Sequence, residues 1–211
     1  MRKAFEIGGI VAAVVLIAFG IGAVALGFQG RSTVHDSLAA QQIVGTADMT
    51  PAAITAEANA AHLDSSTLTI PSCSVANKAV TNGSQARCFA QYMTIHALEA
   101  TGGLLYSQLP RFASANGKGT NVAADALTSN GAPQDNPARN VWVQETAFST
   151  ALNTSYMAGQ ISLFGIIVGI ALLLSGLGFA TLSLGGALRA PDSALKVLVG
   201  HRPSAKPSAA V

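Results

Sequence analysis

Two uncharged apolar runs, residues 7–28 and 161–184, constrain this chain more than any other feature. Roughly 20 apolar residues suffice to cross a hydrocarbon layer of about 30 Å as a helix. No Asp, Glu, Lys or Arg occurs between Glu145 and Arg189. A soluble chain of 211 residues is too small to bury two such helices in its interior. We therefore predict an all-α membrane protein with transmembrane helices at residues 7–28 and 161–188.

The first apolar run has a second interpretation, a cleaved signal peptide. Arg2 and Lys3 form a short basic region, and residues 23–25 (Ala-Val-Ala) resemble a cleavage site. The run nevertheless continues past that site to Phe28 and is longer than the apolar part of most signal peptides. We favour a retained anchor.

Basic residues at the outer flanks of the spans predict the orientation. Arg2 and Lys3 precede the first span, and several basic residues follow the second. The latter are Arg189, Lys196, Arg202 and Lys206. By the positive-inside rule, residues 1–6 and the flexible tail 189–211 are cytoplasmic, and residues 29–160 are extracytoplasmic. The net charge of +2 comes from these ends, so membrane lipid is implied as a partner and nucleic acid is not.

The only two cysteines, Cys73 and Cys88, lie in the segment predicted to be outside the cytoplasm. An even pair in an oxidising compartment usually forms a disulfide. Free thiols and metal ligation are the alternatives, and no further Cys or His lies at ligand spacing from the pair.

Residues 29–160 predict a small α-helical bundle inserted between the spans. Thr50 and Pro51 are a helix start, with a capping hydroxyl before a proline at the first helical position. Ser84 is the expected cap of a second helix that carries Cys88, and Asn140 that of a long helix continuing into the second span. Residues 114–138 are rich in Gly, Asn, Ser, Thr and Pro and predict a mobile surface excursion.

Two titratable groups are candidates for a site. His96 and Glu99 form an H-x-x-E pair, but such a pair ligates metal in bundles only when it is repeated with further carboxylates, so a structural histidine is expected. Glu145 falls in an apolar stripe, where burial would require a cation or a proton. The candidate cations for a structural ion pair with Glu145 are Arg87, Arg111 and Arg139.

Small residues recur in both spans. Gly165 and Gly169 form a GxxxG pair in the second, and the first has the pairs Gly9/Ala13 and Ala18/Gly22. Small residues four apart allow close helix approach in lipid. The two spans can use this spacing on each other or on the helices of another protein.

Four stretches carry a resemblance to a known family. They are GRSTVHDSLAAQQIVGTADMTPAAI, KAVTNGSQARCFAQYMTIHALEATGG, ARNVWVQETAFSTALNTSY and SLFGIIVGIALLLSGLGF. Over nearly its full length the chain resembles a family of two-span membrane proteins from actinobacteria, some of which are labelled aromatic ring-opening dioxygenases. Such dioxygenases are soluble and bind non-haem iron through histidines and a carboxylate, and the sequence shows no such constellation. The resemblance therefore implies topology and an envelope location, with no activity to carry over.

No catalytic, cofactor or metal motif stands out in the sequence. The favoured expectation is a non-enzymatic structural or interaction protein of the bacterial cell envelope, an accessory partner of a larger membrane complex. The alternative is a membrane-bound enzyme or small-ligand sensor that uses Glu145, His96 and nearby arginines. That alternative requires these groups to converge in one cleft.

Overall fold

A computed structural model describes residues 2–64 and 68–185 of the chain, so the predicted tail 189–211 lies outside the described residues. The chain is mostly helical, at 65%, with two long apolar helices. The helices are α1 (Arg2–Ala40), α2 (Pro51–Ala60), α3 (Gly83–Ala100) and α4 (Pro137–Leu184). A short 3-10 turn (Ala123–Asp125) and strands β1 (Thr128–Ser129) and β2 (Ala132–Pro133) precede α4. The described residues form two compact units, residues 2–26 with 165–185 and the described part of residues 27–164.

Helices α1 and α4 are long and apolar enough to cross a membrane. Their most apolar 18-residue windows have mean hydropathies of 2.7 and 2.4. Only 11% of each window is buried inside the protein. A core helix of a soluble protein would be mostly buried, whereas these helices expose aliphatic and aromatic side chains over most of their length. Both helices therefore fit a membrane protein.

Small residues bring α1 and α4 together within the first unit. A Cβ on Gly169 would fall 2.8 Å from the carbonyl oxygen of Gly20, and one on Gly176 would fall 3.1 Å from that of Ala13. Ala13 and Gly20 are seven residues apart, as are Gly169 and Gly176. Gly169 of the predicted GxxxG pair thus lies at the contact, while Gly165 is only half-buried. The repeat that pairs the helices is seven residues long, which is typical of left-handed helix pairs.

The second unit has an apolar core built around α2 and α3. Its most deeply buried large side chains are Met49, Ile54, Val75, Val80 and Tyr92. The predicted disulfide is confirmed: Cys73 and Cys88 are bonded, with their Cα atoms 6.1 Å apart.

Contacts in the core show that α4 packs on α3, the helix that carries Cys88. Phe89 of α3 meets Phe148 of α4 edge to face, with ring centroids 5.9 Å apart. The Tyr92 hydroxyl donates a hydrogen bond of 2.6 Å to the carbonyl of Cys73, so the disulfide-bonded segment is tied to α3 at a second point.

The helix starts follow local capping chemistry, with two corrections to the sequence-based expectation. Thr50 caps α2 as predicted, since its hydroxyl accepts a hydrogen bond from the Ala53 amide. The cap of α3 is Asn82, not Ser84: its side-chain oxygen accepts from the Gln85 amide. α4 begins three residues before Asn140, at Pro137, because Asn136 has a capping oxygen and proline suits the first helical position.

The segment predicted as a mobile excursion has ordered backbone pairing. β1 and β2 form a short antiparallel hairpin. Phe112 exchanges backbone hydrogen bonds with Thr120, and Ala113 bonds to both Leu127 and Gln134. Residues 114–138 are therefore a compact loop layer held by backbone hydrogen bonds.

A tight junction connects the end of α1 to the chain before α3. The amide of Gly45 donates to the Lys78 carbonyl, and its own carbonyl accepts from the Asn77 amide. A Cβ at position 45 would overlap the carbonyl of Val75. The segment at Gly45 and the segment at Val75 therefore cross with their backbones in contact, and a side chain at position 45 has no room.

Candidate functional site

Helices α3 and α4 enclose an apolar cleft of about 440 Å³. Its lining combines aliphatic, aromatic and polar side chains: Met93, His96, Ala97, Val141, Gln144, Glu145 and Phe148. The cleft thus brings together His96 and Glu145, two of the groups that the sequence singled out. The three candidate arginines do not line it.

Glu145 is buried, at 7% exposed, and its carboxylate accepts hydrogen bonds from hydroxyl groups. Thr94 of α3 donates to its Oε1 atom at 2.6 Å, and Ser149, one turn further along α4, donates to the same atom at 3.0 Å. These bonds take the place of the predicted ion pair. Two hydroxyl donors supply part of the solvation that the carboxylate loses on burial.

The three arginines predicted as partners of Glu145 lie over aromatic rings instead. The guanidinium carbon of Arg139 is 4.0 Å from the centroid of Tyr106, and those of Arg87 and Arg111 are 4.7 and 4.9 Å from Tyr156 and Phe112. Arg139 also donates to the carbonyl of Leu109. Each cation therefore has an aromatic face within reach, an interaction of about 0.5–2 kcal/mol.

A second group of side chains meets at His96. The Nε2 atom of His96 is 2.8 Å from Oδ2 of Asp48 and 3.8 Å from Oε2 of Glu57. The ligand-capable atoms of all three residues lie within 4.8 Å of one another, and all three residues are half-buried. One imidazole and two carboxylates at these distances could hold a metal ion. Glu99, the partner that the H-x-x-E spacing suggested, is exposed.

The three residues are placed by different parts of the second unit. Asp48 lies in the loop before α2, Glu57 in the last part of α2 and His96 in α3. The chain neighbour of each, Met49, Ala58 and Ile95 respectively, is buried in one apolar core. The backbone at each position is therefore fixed by packing, which holds the three polar groups at one spot.

The electrostatics of the group favour an ionised Asp48. Burial alone would raise the pKa of Asp48, but hydrogen bonds from the Thr46 side chain and its own backbone, together with nearby His96, outweigh that effect and lower it. At His96, the Nε2 atom is shielded from solvent yet makes no hydrogen bond of good geometry among the described residues. The Asp48 Oδ2 atom is within hydrogen-bond distance of Nε2, but it lies off the direction in which an N–H bond on Nε2 would point.

The sequence gives no indication of this group. Asp48 and Glu57 precede His96 by 48 and 39 positions, so the spacing along the chain carries no ligand signal. The group also differs from the several histidines and one carboxylate of ring-opening dioxygenases, since it has one histidine and two carboxylates. No family model, curated protein or solved structure matches this chain.

Proposed function

We propose that this protein is a non-enzymatic, membrane-anchored interaction protein that displays its second unit outside the cytoplasmic membrane. Both termini are cytoplasmic in this proposal, and the partner is another membrane or envelope protein. Three features support it: two helices apolar enough to span, basic residues at their outer flanks, and a disulfide, which persists in oxidising compartments. The resemblance to two-span actinobacterial membrane proteins agrees with this topology.

The observation that carries the interaction role is an exposed apolar surface beside the start of α4. Leu104, Leu105 and Tyr106 follow α3 after a turn at residues 101–103 and are 41–49% exposed, and Val143 of α4 is also exposed. The surface is held in place, because the Trp142 indole donates a 2.9 Å hydrogen bond to the carbonyl of Leu104. Exposed apolar side chains on a fixed backbone are typical of protein-binding surfaces.

The charged groups around this surface suggest what the partner presents. One shallow pocket of about 360 Å³ is lined by Tyr106, Arg111, Asp135, Arg139, Asn140 and Val143, so two arginines outweigh one carboxylate there. Tyrosine and arginine are the residue types that contribute most at protein interfaces. A matching partner surface presents aliphatic side chains with acidic groups at its rim, and the arginines steer it toward contact.

The topology is tested with a thiol reagent that cannot cross membranes, applied to intact cells after reduction of the Cys73–Cys88 bond. Labelling of intact cells is expected, with no increase once they are broken open. Reaction only in broken cells would reverse the orientation. The protein with both cysteines changed to serine controls for background.

The interaction is tested by placing a photo-crosslinking amino acid at position 105 in living cells. A protein adduct is expected at position 105 and not at Lys118, an exposed residue of the loop layer. The adduct should be lost when Tyr106 is changed to aspartate. If crosslinking at position 105 yields no adduct, or adducts only with other copies of this chain, the proposed interaction with another protein is contradicted.

A small-ligand sensor is the second candidate, and the cleft between α3 and α4 favours it. His96 and Glu145 converge there, without the arginines that the sequence also suggested, in a volume suited to a small molecule. Native mass spectrometry of the detergent-purified protein tests this candidate. A bound compound lost on Val141→Trp, which fills the cleft, would support a sensor; identical spectra without adducts would argue against it.

A further inference from the structure

We propose that Asp48, Glu57 and His96 form a binding site for a divalent transition-metal ion of the Zn²⁺ type. The site belongs to the second unit alone and does not depend on the interaction role proposed above. It consists of one imidazole nitrogen and two carboxylate oxygens.

The spacing of the ligand atoms suits a single ion. In a tetrahedral site with bonds of about 2.1 Å, neighbouring ligand atoms lie about 3.4 Å apart. The His96 Nε2 atom is 2.8 Å from the Asp48 oxygen and 3.8 Å from the Glu57 oxygen, and these values bracket that separation. The third separation, between the two carboxylate oxygens, is no more than 4.8 Å.

The orientation of His96 gives an independent indication. Its Nε2 atom is shielded from solvent and points at neither carboxylate oxygen with hydrogen-bond geometry, although both are near. A histidine with a hydrogen on Nε2 would normally direct that N–H at the closer carboxylate. An imidazole whose Nε2 lone pair points at an ion between the carboxylates explains both the proximity and the poor alignment.

The ligand types select the class of metal. Ca²⁺ and Mg²⁺ prefer sites made only of oxygen, so the imidazole disfavours them. Soft ions such as Cu⁺ prefer sulfur, and both cysteines of this chain are in the disulfide. One nitrogen and two carboxylate oxygens suit Zn²⁺ and its neighbours in the first transition row. Three protein ligands leave the fourth position of a tetrahedral site for a water molecule.

A bound ion would link three segments of the second unit. It would join the loop before α2, the last part of α2 and the last part of α3. Because the ion binds the folded arrangement and not the separated segments, metal should raise the melting temperature of the second unit in proportion to the logarithm of its concentration.

The test uses the full-length, tag-free protein in mild detergent, titrated with Zn²⁺, Co²⁺ and Ca²⁺ by calorimetry. We expect one Zn²⁺ per chain, no comparable Ca²⁺ binding, and a Co²⁺ visible spectrum typical of nitrogen and oxygen ligands. His96→Gln and Asp48→Asn should each weaken Zn²⁺ binding by more than about 100-fold, since loss of even an outer-shell partner costs 10–100-fold.

Two matched controls separate the site from nonspecific binding. Glu99→Gln removes an exposed carboxylate three residues from His96, and His62→Gln removes an exposed histidine; both should leave Zn²⁺ affinity unchanged. Fluorescence of Trp142, the only tryptophan, checks that each variant is folded. Should His96→Gln fail to fold, Glu57→Gln and Asp48→Asn take its place.

Three results would overturn the proposal. They are the absence of stoichiometric Zn²⁺ binding to the wild-type protein, Zn²⁺ binding that survives in folded ligand variants, and Ca²⁺ binding as tight as Zn²⁺ binding. Either of the first two results would exclude a metal site at these residues, and the third would exclude its assignment to ions of the Zn²⁺ type.

Discussion

Gly20 and Gly169 face each other across the pair of apolar helices, and neither position has room for a methyl group. A Cβ on Gly20 would lie 2.9 Å from the Gly169 carbonyl oxygen, and a Cβ on Gly169 would lie 2.8 Å from that of Gly20. The contact is thus backbone to backbone in both directions. Lipid offers no hydrophobic driving force between helices, so packing of this kind is what holds such a pair together.

Gly20→Ala and Gly169→Ala are each expected to destabilise the helix pair by about 1–3 kcal/mol through overpacking. Alanine is the better helix former by up to about 1 kcal/mol, so the same change in open space should be neutral or stabilising. Gly22 and Gly178 provide that control, because a Cβ at either meets nothing within 4 Å. Reversible unfolding in mixed detergent micelles, followed by circular dichroism, measures the difference. Equal effects at positions 20 and 22 would contradict the seven-residue interface.

Removal of the disulfide should destabilise the second unit by about 3 kcal/mol. Cys73 and Cys88 are 15 positions apart, and a loop of that length gives this value. The loss of stability follows from the added freedom of the unfolded chain. The double change to serine should lower the unfolding midpoint reported by Trp142 fluorescence. Reducing agent should lower the wild-type midpoint to the same value and leave the serine variant unaffected.

Tyr92 is expected to make the second unit sensitive to alkaline pH. Burial raises the pKa of this phenol above its ordinary value of 10.0. A group whose pKa is raised by folding contributes its stability below the unfolded pKa and loses it as pH rises through the folded value. The melting temperature should therefore fall above about pH 10, and less steeply in Tyr92→Phe.

Absorbance at 295 nm provides an independent check on Tyr92. Because burial raises the pKa of Tyr92, its ionisation should lie above the ordinary range of tyrosine, and Tyr92→Phe should remove that step. A step in that range that persists in the variant would contradict the assignment to Tyr92. The variant also loses the hydrogen bond to the Cys73 carbonyl, so a small loss of stability, of about 1 kcal/mol, is expected near neutral pH.

Thr94→Val should destabilise the second unit by about 1–3 kcal/mol, because it leaves the buried carboxylate of Glu145 without its shortest hydrogen bond. Thr150→Val, at an exposed position of α4, is the matched control and should change little. Combining Thr94→Val with Glu145→Leu, which has no acceptor oxygen, should cost less than the sum of the single changes, since both remove the same bond. Additive effects, measured by Trp142 fluorescence in urea, would show that the two groups act independently.

The features predicted correctly from sequence are those that nearby residues determine. The apolar runs require only composition, and Thr50 followed by Pro51 defines a helix start within two positions. The predicted cap of α3 was wrong because Asn82 and Ser84 are both residue types that cap helices. Asn82 is the cap, and its side chain is bonded to both the amide and the side chain of Gln85, at the third helical position. The disulfide was predictable because the chain has no other cysteine.

The polar groups were not predictable, because their partners lie far away along the chain. Glu145 takes its shortest hydrogen bond from Thr94, 51 positions earlier. Charge alone predicts that the arginines pair with Glu145, but each arginine lies over an aromatic ring instead. Two of these rings, Tyr106 and Tyr156, belong to segments that are distant in sequence and become neighbours only in the fold. His96 likewise meets carboxylates from a loop and a helix that give no periodic signal.

The junction at Gly45 has a consequence for how this chain can vary. The carbonyl of Val75 occupies the space where a side chain would begin, so no other amino acid fits without moving one backbone past another. Relatives that share this architecture should keep glycine at the equivalent position even where the neighbouring surface has diverged beyond recognition. A saturation library at codon 45 should accordingly return a single tolerated residue.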